Sequence, residues 1–216
     1  MSSDDARRAP SVWVIVVAAG SGSRFGGPKQ HAPLAGRRVV DWSIDAARSV
    51  ADGVVLVVAA ADEGAEEPAV DALVVGGATR SDSVRAGLAV VPDDAAVVLV
   101  HDGARPLASH ALFRSVVDAV LAGADAVVPA VSVVDTITDL HGVPVDRDAL
   151  QAVQTPQGFQ GPSLRAVHAT RPEATDDASL VLAGGGRLRT VQGERWNLKI
   201  TEPDDLVVAE SILEQR

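Results

Sequence analysis

The sequence contains no cysteine, and that absence removes disulfides, thiolate metal sites and thiol nucleophiles together. It also fits the reducing cytoplasm, the compartment expected here. Aromatic residues make up only 3% of the chain against 47% hydrophobic residues overall, so the core must be assembled from Ala, Val, Leu and Ile. Such a mixture suits close-packed parallel strands under helices better than an aromatic-rich β-sandwich. Positive charge is scarce: 19 Lys and Arg stand against 29 Asp and Glu, a formal net charge of −10. A chain with that balance lacks the basic face that nucleic acids require, and it must concentrate its few cations wherever it handles phosphate. No apolar run approaches the length of a membrane span, so no membrane partner is expected. Residues 1–10 are polar, without the apolar stretch of a signal peptide, and are expected to form a disordered tail ahead of a single domain over 11–216.

What is present is a regular alternation. Short apolar runs at 12–18 (VWVIVVA), 53–60, 72–75, 97–100 and 126–130 read as buried strands. Between them, 39–50, 81–91 (capped by Ser81 or Asp82) and 109–121 carry helical spacing. This rhythm implies an α/β protein with a mainly parallel, doubly wound sheet. It breaks at 133–140 (VVDTITDL), where apolar and polar residues alternate up to the turn His141-Gly142-Val143-Pro144, and a second extended stretch follows at 146–154. Two such stretches around a turn predict a hairpin, either an edge extension of the sheet or a β-arm over about 132–156 that pairs with a second copy. Helices at 161–169 and 176–182, a strand at 187–191 and a closing helix at 203–214 complete the chain.

The candidate chemistry lies in loops that follow strands. After the first strand comes AAGSGSRFGGPKQ, in which Gly20, Gly22, Gly26 and Gly27 let the backbone turn its N–H groups toward an anion, while Arg24 and Lys29 supply charge to phosphate oxygens. It is neither a Walker loop, because Lys29 stands between Pro28 and Gln30, nor a dinucleotide fingerprint, because Phe25 occupies a required glycine position. After the third strand, Gly76-Gly77-Ala78-Thr79-Arg80-Ser81-Asp82-Ser83 combines a glycine pair with hydroxyls at a helix start. After the fourth, His101-Asp102-Gly103-Ala104-Arg105-Pro106 sits at the carboxyl edge of the sheet, where an Asp can hold Mg2+ alongside substrate phosphates. Weaker signals are Arg147 on the arm, Thr155-Pro156-Gln157 at its return, the N-cap pattern Thr175-Asp176-Asp177, and Lys199 in NLKIT before the last helix.

In this order and spacing the motifs resemble the 2-C-methyl-D-erythritol 4-phosphate cytidylyltransferase family of the non-mevalonate isoprenoid pathway, over about 12–210. The stretches that carry the likeness are AAGSGSRFGGPKQ, GGATRSDSV, HDGARP, VVDTI, DRDALQAVQTPQGF, TDD and NLKITEPDDL. The resemblance implies a Rossmann-like, nucleotide-diphospho-sugar transferase-like domain whose β-arm embraces a second subunit in a homodimer. It implies transfer of CMP from CTP to methylerythritol phosphate with Mg2+. Arg24 and Lys29 would stabilise the transition state, and Arg147 and Lys199 would position the acceptor. Asp102 would face the metal, with Arg105, Thr136, Thr155 and Thr175 as substrate contacts. Ala18, Ala19, Gly20, Gly22, Gly77 and Ser83 would hold the nucleotide. The segment between Arg24 and Pro28 is shorter than the family pattern, and Ala78 and Trp196 stand where polar residues are frequent. The chain ends after its last helix, so the fused cyclodiphosphate synthase domain of some relatives is not expected.

Three alternatives compete. A ribitol-5-phosphate cytidylyltransferase shares the nucleotide chemistry and differs in the acceptor contacts. A dinucleotide-binding dehydrogenase lacks the fingerprint glycine, and Asp62 comes too late to hold a ribose. A nucleotide-sensing domain has no need of the whole cationic set.

Overall fold

Alternation along the first strand, β1 (Val12–Val17), divides the core in two: Val14 and Val16 face one apolar cluster, and Ile15 faces the other. Such a strand is covered on both sides, which is why its sequence reads as a continuous apolar run. The same holds for β4 (Gly53–Val58) and β6 (Val97–Asp102), every residue of which is buried. The computed structural model describes residues 9–67 and 69–216, so residues 1–8 of the expected tail lie outside the described residues. Two short strands, β2 (Pro33–Leu34) and β3 (Arg37–Arg38), form a separate ladder, and β5 (Ala72–Val75) pairs with β4.

One helical layer comprises α1 (Val39–Arg48) and α3 (His110–Leu121), which bring Val40, Ile44, Phe113 and Val116 to the first cluster. The other comprises α2 (Arg80–Leu88), α4 (Gly161–His168) and α5 (Asp177–Ala183), which bring Val84, Leu164 and Val181 to the second. The closing helix α6 (Asp204–Leu213) supplies Ala209 to a smaller third cluster with Leu34, Leu107 and Ile200. Thr79 is the N-cap of α2, accepting a hydrogen bond from the Asp82 N–H, so the helix starts before the expected Ser81 or Asp82.

With β7 (Ala126–Ser132), β10 (Gln151–Val153), β11 (Gln157–Gln160) and β12 (Leu188–Gln192), the sheet runs β10-β7-β11-β6-β1-β4-β5, and β12 also pairs with β7. Parallel ladders join β1 to β4 and β6, β4 to β5, and β7 to β12, as a doubly wound fold requires. One strand departs from expectation. The segment expected to be only the return of the arm continues as β11 (Gln157–Gln160), which inserts antiparallel between β6 and β7. Its polar sequence hides a buried strand, because Phe159 fills the core while Gly158 clears space for α3. A Cβ at Gly158 would come 2.5 Å from Val116 Cγ1.

The arm is also built differently from a plain hairpin. Only β8 (Ile137–Thr138) and β9 (Pro144–Val145) pair with each other, closed by the Asp139 carboxylate, which accepts from the His141 and Val143 N–H groups. The second half turns back as β10 (Gln151–Val153) onto β7. The first half's expected partner at 146–154 is therefore taken by the main sheet, where ladder bonds already have a template.

Phe159 is fully buried. Phe159→Ala is expected to lower unfolding free energy by about 3–5 kcal/mol, read from urea melts; a loss comparable to a surface substitution would mean that β11 is peripheral.

Candidate active site

A cavity of ≈ 510 Å³ opens where β1 and β6 end at the carboxyl edge of the sheet. Its first wall is the glycine loop. Gly22 adopts φ +65 and its carbonyl accepts from the N–H groups of Phe25, Gly26 and Gly27, coiling the loop. A Cβ there would lie 1.8 Å from the Gly27 carbonyl oxygen, so only glycine fits. Among the described residues, the backbone N–H groups of residues 20–24 have no hydrogen-bond acceptor, which leaves them for a ligand anion. Lys29 is tied down by a hydrogen bond from Nζ to the Ile200 carbonyl. Burial, then the Lys199 cation, lowers its pKa from the usual lysine value.

The second wall is the turn before α2. A Cβ on Gly76 would come 2.6 Å from Ala19 Cβ and 2.7 Å from Ser83 Oγ, so the two glycine clusters nearly touch at this end of the cavity. Ser83 Oγ donates to the Thr79 carbonyl at 3.0 Å.

The third is Asp102 at the end of β6. Its carboxylate Oδ2 lies 2.8 Å from Lys199 Nζ and 3.6 Å from Arg105 Nε. Burial alone would raise its pKa, but the cations Lys199, Arg105 and Arg80 outweigh that and hold it at about 2. The loop that delivers Lys199 is anchored from below. Arg105 Nη1 donates to the Asn197 carbonyl at 2.7 Å, Asn197 Nδ2 donates to the Thr155 carbonyl at 3.0 Å, and the Ile200 N–H donates to the Ala104 carbonyl at 2.8 Å. Thr155 Oγ1 in turn accepts the Asp102 N–H at 3.0 Å.

The structure thus brings Ala18, Ala19, Gly20, Gly22, Arg24 and Lys29 to one cavity with Gly77, Ser83, Asp102 and Lys199. Thr155 is buried and Arg105 half-buried, neither is part of the lining, and their bonds go to the protein, so here they support the site. Thr136 and Arg147 lie on the arm outside the lining. The Arg147 guanidinium donates to the Val134 carbonyl at 2.7 Å, and Thr175 is exposed beside α5, also outside it. The residue that sequence reasoning missed is Arg80, which lines the cavity. Its signal was a cation at the first position of a helix, where the dipole favours an anion.

The cavity gathers Arg24, Lys29, Arg80 and Lys199 against Asp102 as its sole carboxylate among the described residues, in a protein of net charge −10. Among those residues no group of three or more His, Cys, Asp or Glu is placed to hold a metal ion. Both cation contacts go to Asp102 Oδ2, and Asp102 is the lining carboxylate that could hold a divalent ion alongside phosphate oxygens and water. No helix among the described residues is long and apolar enough to cross a membrane.

A glycine loop with free N–H groups, converging cations and one carboxylate at the sheet edge define an α/β nucleotidyltransferase, which works by positioning and neutralising phosphates. The sequence profile of the family "IspD: 2-C-methyl-D-erythritol 4-phosphate cytidylyltransferase" matches residues 12–215, and the chain belongs to that family. The 2-C-methyl-D-erythritol 4-phosphate cytidylyltransferase of Nocardia farcinica is 44% identical, covering 99% of this chain and 98% of its own. The crystal structure of the enzyme of the same name from Thermus thermophilus superposes with a TM-score of 0.82 at 38% identity, covering 94% of this chain and 99% of the other. A bifunctional IspD/IspF enzyme of Dinoroseobacter shibae is 42% identical over 96% of this chain but only 55% of its own length.

His101, wholly buried against Phe113 with Nδ1 3.1 Å from Thr155 Oγ1, has its pKa lowered by burial from 6.5 to about 4. Its neutral form stabilises the fold above the unfolded value, and that contribution is lost as pH falls from 6.5 through 4. His101→Gln is expected to narrow the fall in Tm between pH about 7 and about 5; an unchanged fall would mean that His101 does not contribute to it.

Proposed function

We propose that the protein transfers CMP from CTP to 2-C-methyl-D-erythritol 4-phosphate, giving 4-diphosphocytidyl-2-C-methyl-D-erythritol and pyrophosphate, in the cytoplasm. The observation that carries this reading is the excess of cations around the free N–H groups of residues 20–24. An oxygen of the acceptor phosphate attacks the α-phosphorus of CTP, and the bond to the leaving pyrophosphate breaks in line. Charge growing on the α-phosphate is met by Arg24, Lys29 and the loop N–H groups. Lys199, which pairs with Asp102, holds the acceptor phosphate in this reading. Asp102 is ionised throughout the neutral range and is the residue that would carry Mg2+, which neutralises triphosphate charge when bound. The close approach of Gly76 to Ala19 and Ser83 leaves the base end narrow, which suits a pyrimidine.

The acceptor is favoured over ribitol phosphate by the family to which the chain belongs. Pyrophosphate release from CTP should be rapid with methylerythritol phosphate and near background with ribitol 5-phosphate; the reverse preference would overturn the assignment. Lys29→Ala is expected to lower kcat by about 10²–10³-fold with a much smaller change in CTP affinity. Loss of affinity alone would make the loop a binding element only.

We further propose a homodimer built on the arm. Val134, Leu140, Val143 and Val145 are exposed there, and a two-stranded ladder alone in water is marginal. Arg147 lies on this arm outside its own chain's cavity lining, which suits a residue that serves a second copy. Mixing Arg147→Ala with Lys29→Ala protein should restore part of the activity, because a hybrid dimer rebuilds one intact site. Exchange of subunits without recovery, or a fully active monomer by sedimentation, would dispose of this proposal.

A further inference from the structure

A polar side chain taken out of water normally finds a partner in the protein, because an unmade hydrogen bond there costs the group its hydration with no return. Gln30 does not. It is 4% exposed, and it is the one buried polar residue whose side chain makes no hydrogen bond or ion pair among the described residues. Its amide is not walled off either. Neither amide atom is among the sealed, unpartnered atoms of the protein, so the little surface the residue keeps includes its polar tip. The space it opens onto is the cavity, which Gln30 lines together with Lys29.

The backbone that carries Gln30 has little freedom to withdraw it. Lys29–His31 is a single 3-10 turn, closed by the His31 N–H on the Pro28 carbonyl at 3.0 Å and the Ala32 N–H on the Lys29 carbonyl at 3.1 Å. One end is pinned toward β6, since Lys29 Nζ donates to the Ile200 carbonyl and the Ile200 N–H donates to the Ala104 carbonyl. The other is pinned toward β4, where His31 Nε2 lies 3.0 Å from Oδ2 of Asp62, in the turn Ala60–Asp62 that follows that strand. β6 and β4 flank β1, so the turn bridges the carboxyl edge and Gln30 stands between its two anchors.

What the amide can take there follows from its own chemistry and from what surrounds it. A primary amide offers a donor, Nε2, beside an acceptor, Oε1. The cavity already supplies Arg24, Lys29, Arg80, Lys199 and free loop N–H groups to phosphate, and a phosphate oxygen could accept only from Nε2 while repelling Oε1. Two neighbouring hydroxyls satisfy both atoms, one accepting from Nε2 and the other donating to Oε1. We propose that Gln30 is a substrate-binding residue of this cavity and that its amide takes a vicinal diol, a group carried by the ribose of CTP and by the acceptor polyol alike. The cost of its unpaired amide falls on the ligand-free protein and is recovered on binding. This rests on the CTP reading above.

The test uses Gln30→Met, which keeps the length of the side chain and removes both polar atoms, with Gln30→Asn as a second variant. Equilibrium binding of CTP and of deoxy-CTP, which lacks one hydroxyl of the ribose diol, is measured without acceptor, together with the KM for methylerythritol phosphate and the Tm of the ligand-free protein. If the diol is that of the ribose, Gln30→Met should weaken CTP about tenfold and leave deoxy-CTP nearly unchanged. If it is that of the acceptor, both nucleotides should bind as before and the acceptor KM should rise by about the same factor. In either case the ligand-free Tm should hold or rise, because an unpaired buried amide has been removed. Gln30→Asn, whose amide sits one carbon short, should move the same constant in the same direction, and it serves alone if Gln30→Met does not fold. Unchanged binding and KM, with or without a lowered Tm, would overturn the proposal. Equal weakening of CTP and deoxy-CTP would also overturn it, since the amide would then act on another part of the nucleotide or only on the fold. Wild-type protein that forms no product from CTP and methylerythritol phosphate would instead sink the CTP reading; active wild type with unaffected variants would sink this inference alone.

Discussion

A carboxylate buried at the end of a parallel strand cannot stand alone, and much of the site follows from how Asp102 is neutralised. The acidic chain spends its scarce cations here: Lys199 and Arg105 both reach the same carboxylate oxygen. Removing one partner of such a buried pair would leave an uncompensated charge, which costs far more than the pair contributes. Because Lys199 belongs to the segment before α6 and Arg105 grips the Asn197 carbonyl of that segment, the ion pair folds the end of the chain over the mouth of the sheet. Lys29 holds the Ile200 carbonyl from the opposite side, so the glycine loop and the terminal segment meet around one charge.

The polar side chains beneath this centre are buried but not idle. Thr155 receives the Asp102 N–H, and Gln157 receives the Ala178 N–H next to Asp177. One short antiparallel strand and its approach thus brace both acidic positions, Asp102 at the sheet edge and Asp177 at the start of α5. Insertion of β11 between β6 and β7 is what makes this possible: had β6 and β7 paired directly, no chain would run beneath both. In a medium of low polarity each of these bonds matters more than it would at the surface, and the one to Thr155 steadies a charge that faces the cavity.

The arm obeys different physics. Its apolar side chains have no cover within the chain, while its base is held by the ladder of β10 on β7. A tethered base with an uncovered tip is the arrangement that the proposed dimer would need, an element that stays attached to its own domain and still offers surface to another. The site at the sheet edge and the arm therefore sit at opposite extremes: one turns its buried charges toward one another, the other turns its apolar groups outward.

Much of this was legible in the residues themselves. Runs such as 53–58 announce strands buried on both faces because local composition is the cause of that burial. The loop with Gly22, Arg24 and Lys29 announces an anion cradle because glycine freedom and positive charge are properties of those residues wherever they lie. Asp102 and Lys199 were also recognisable as candidates, through the place of one after a strand and the motif around the other. What tertiary structure alone decided was pairing across long separations. Gln157–Gln160 carries too little apolar pattern to be read as a strand, and becomes one because α3 leaves room only above Gly158. Arg105 and Thr155 turn out to be supports and Arg80 a cavity residue, since the hydrogen bonds that aim the two guanidiniums go to partners 92 and 97 positions away. Periodicity and composition are local quantities; the sites of buried charge are decided where distant segments meet.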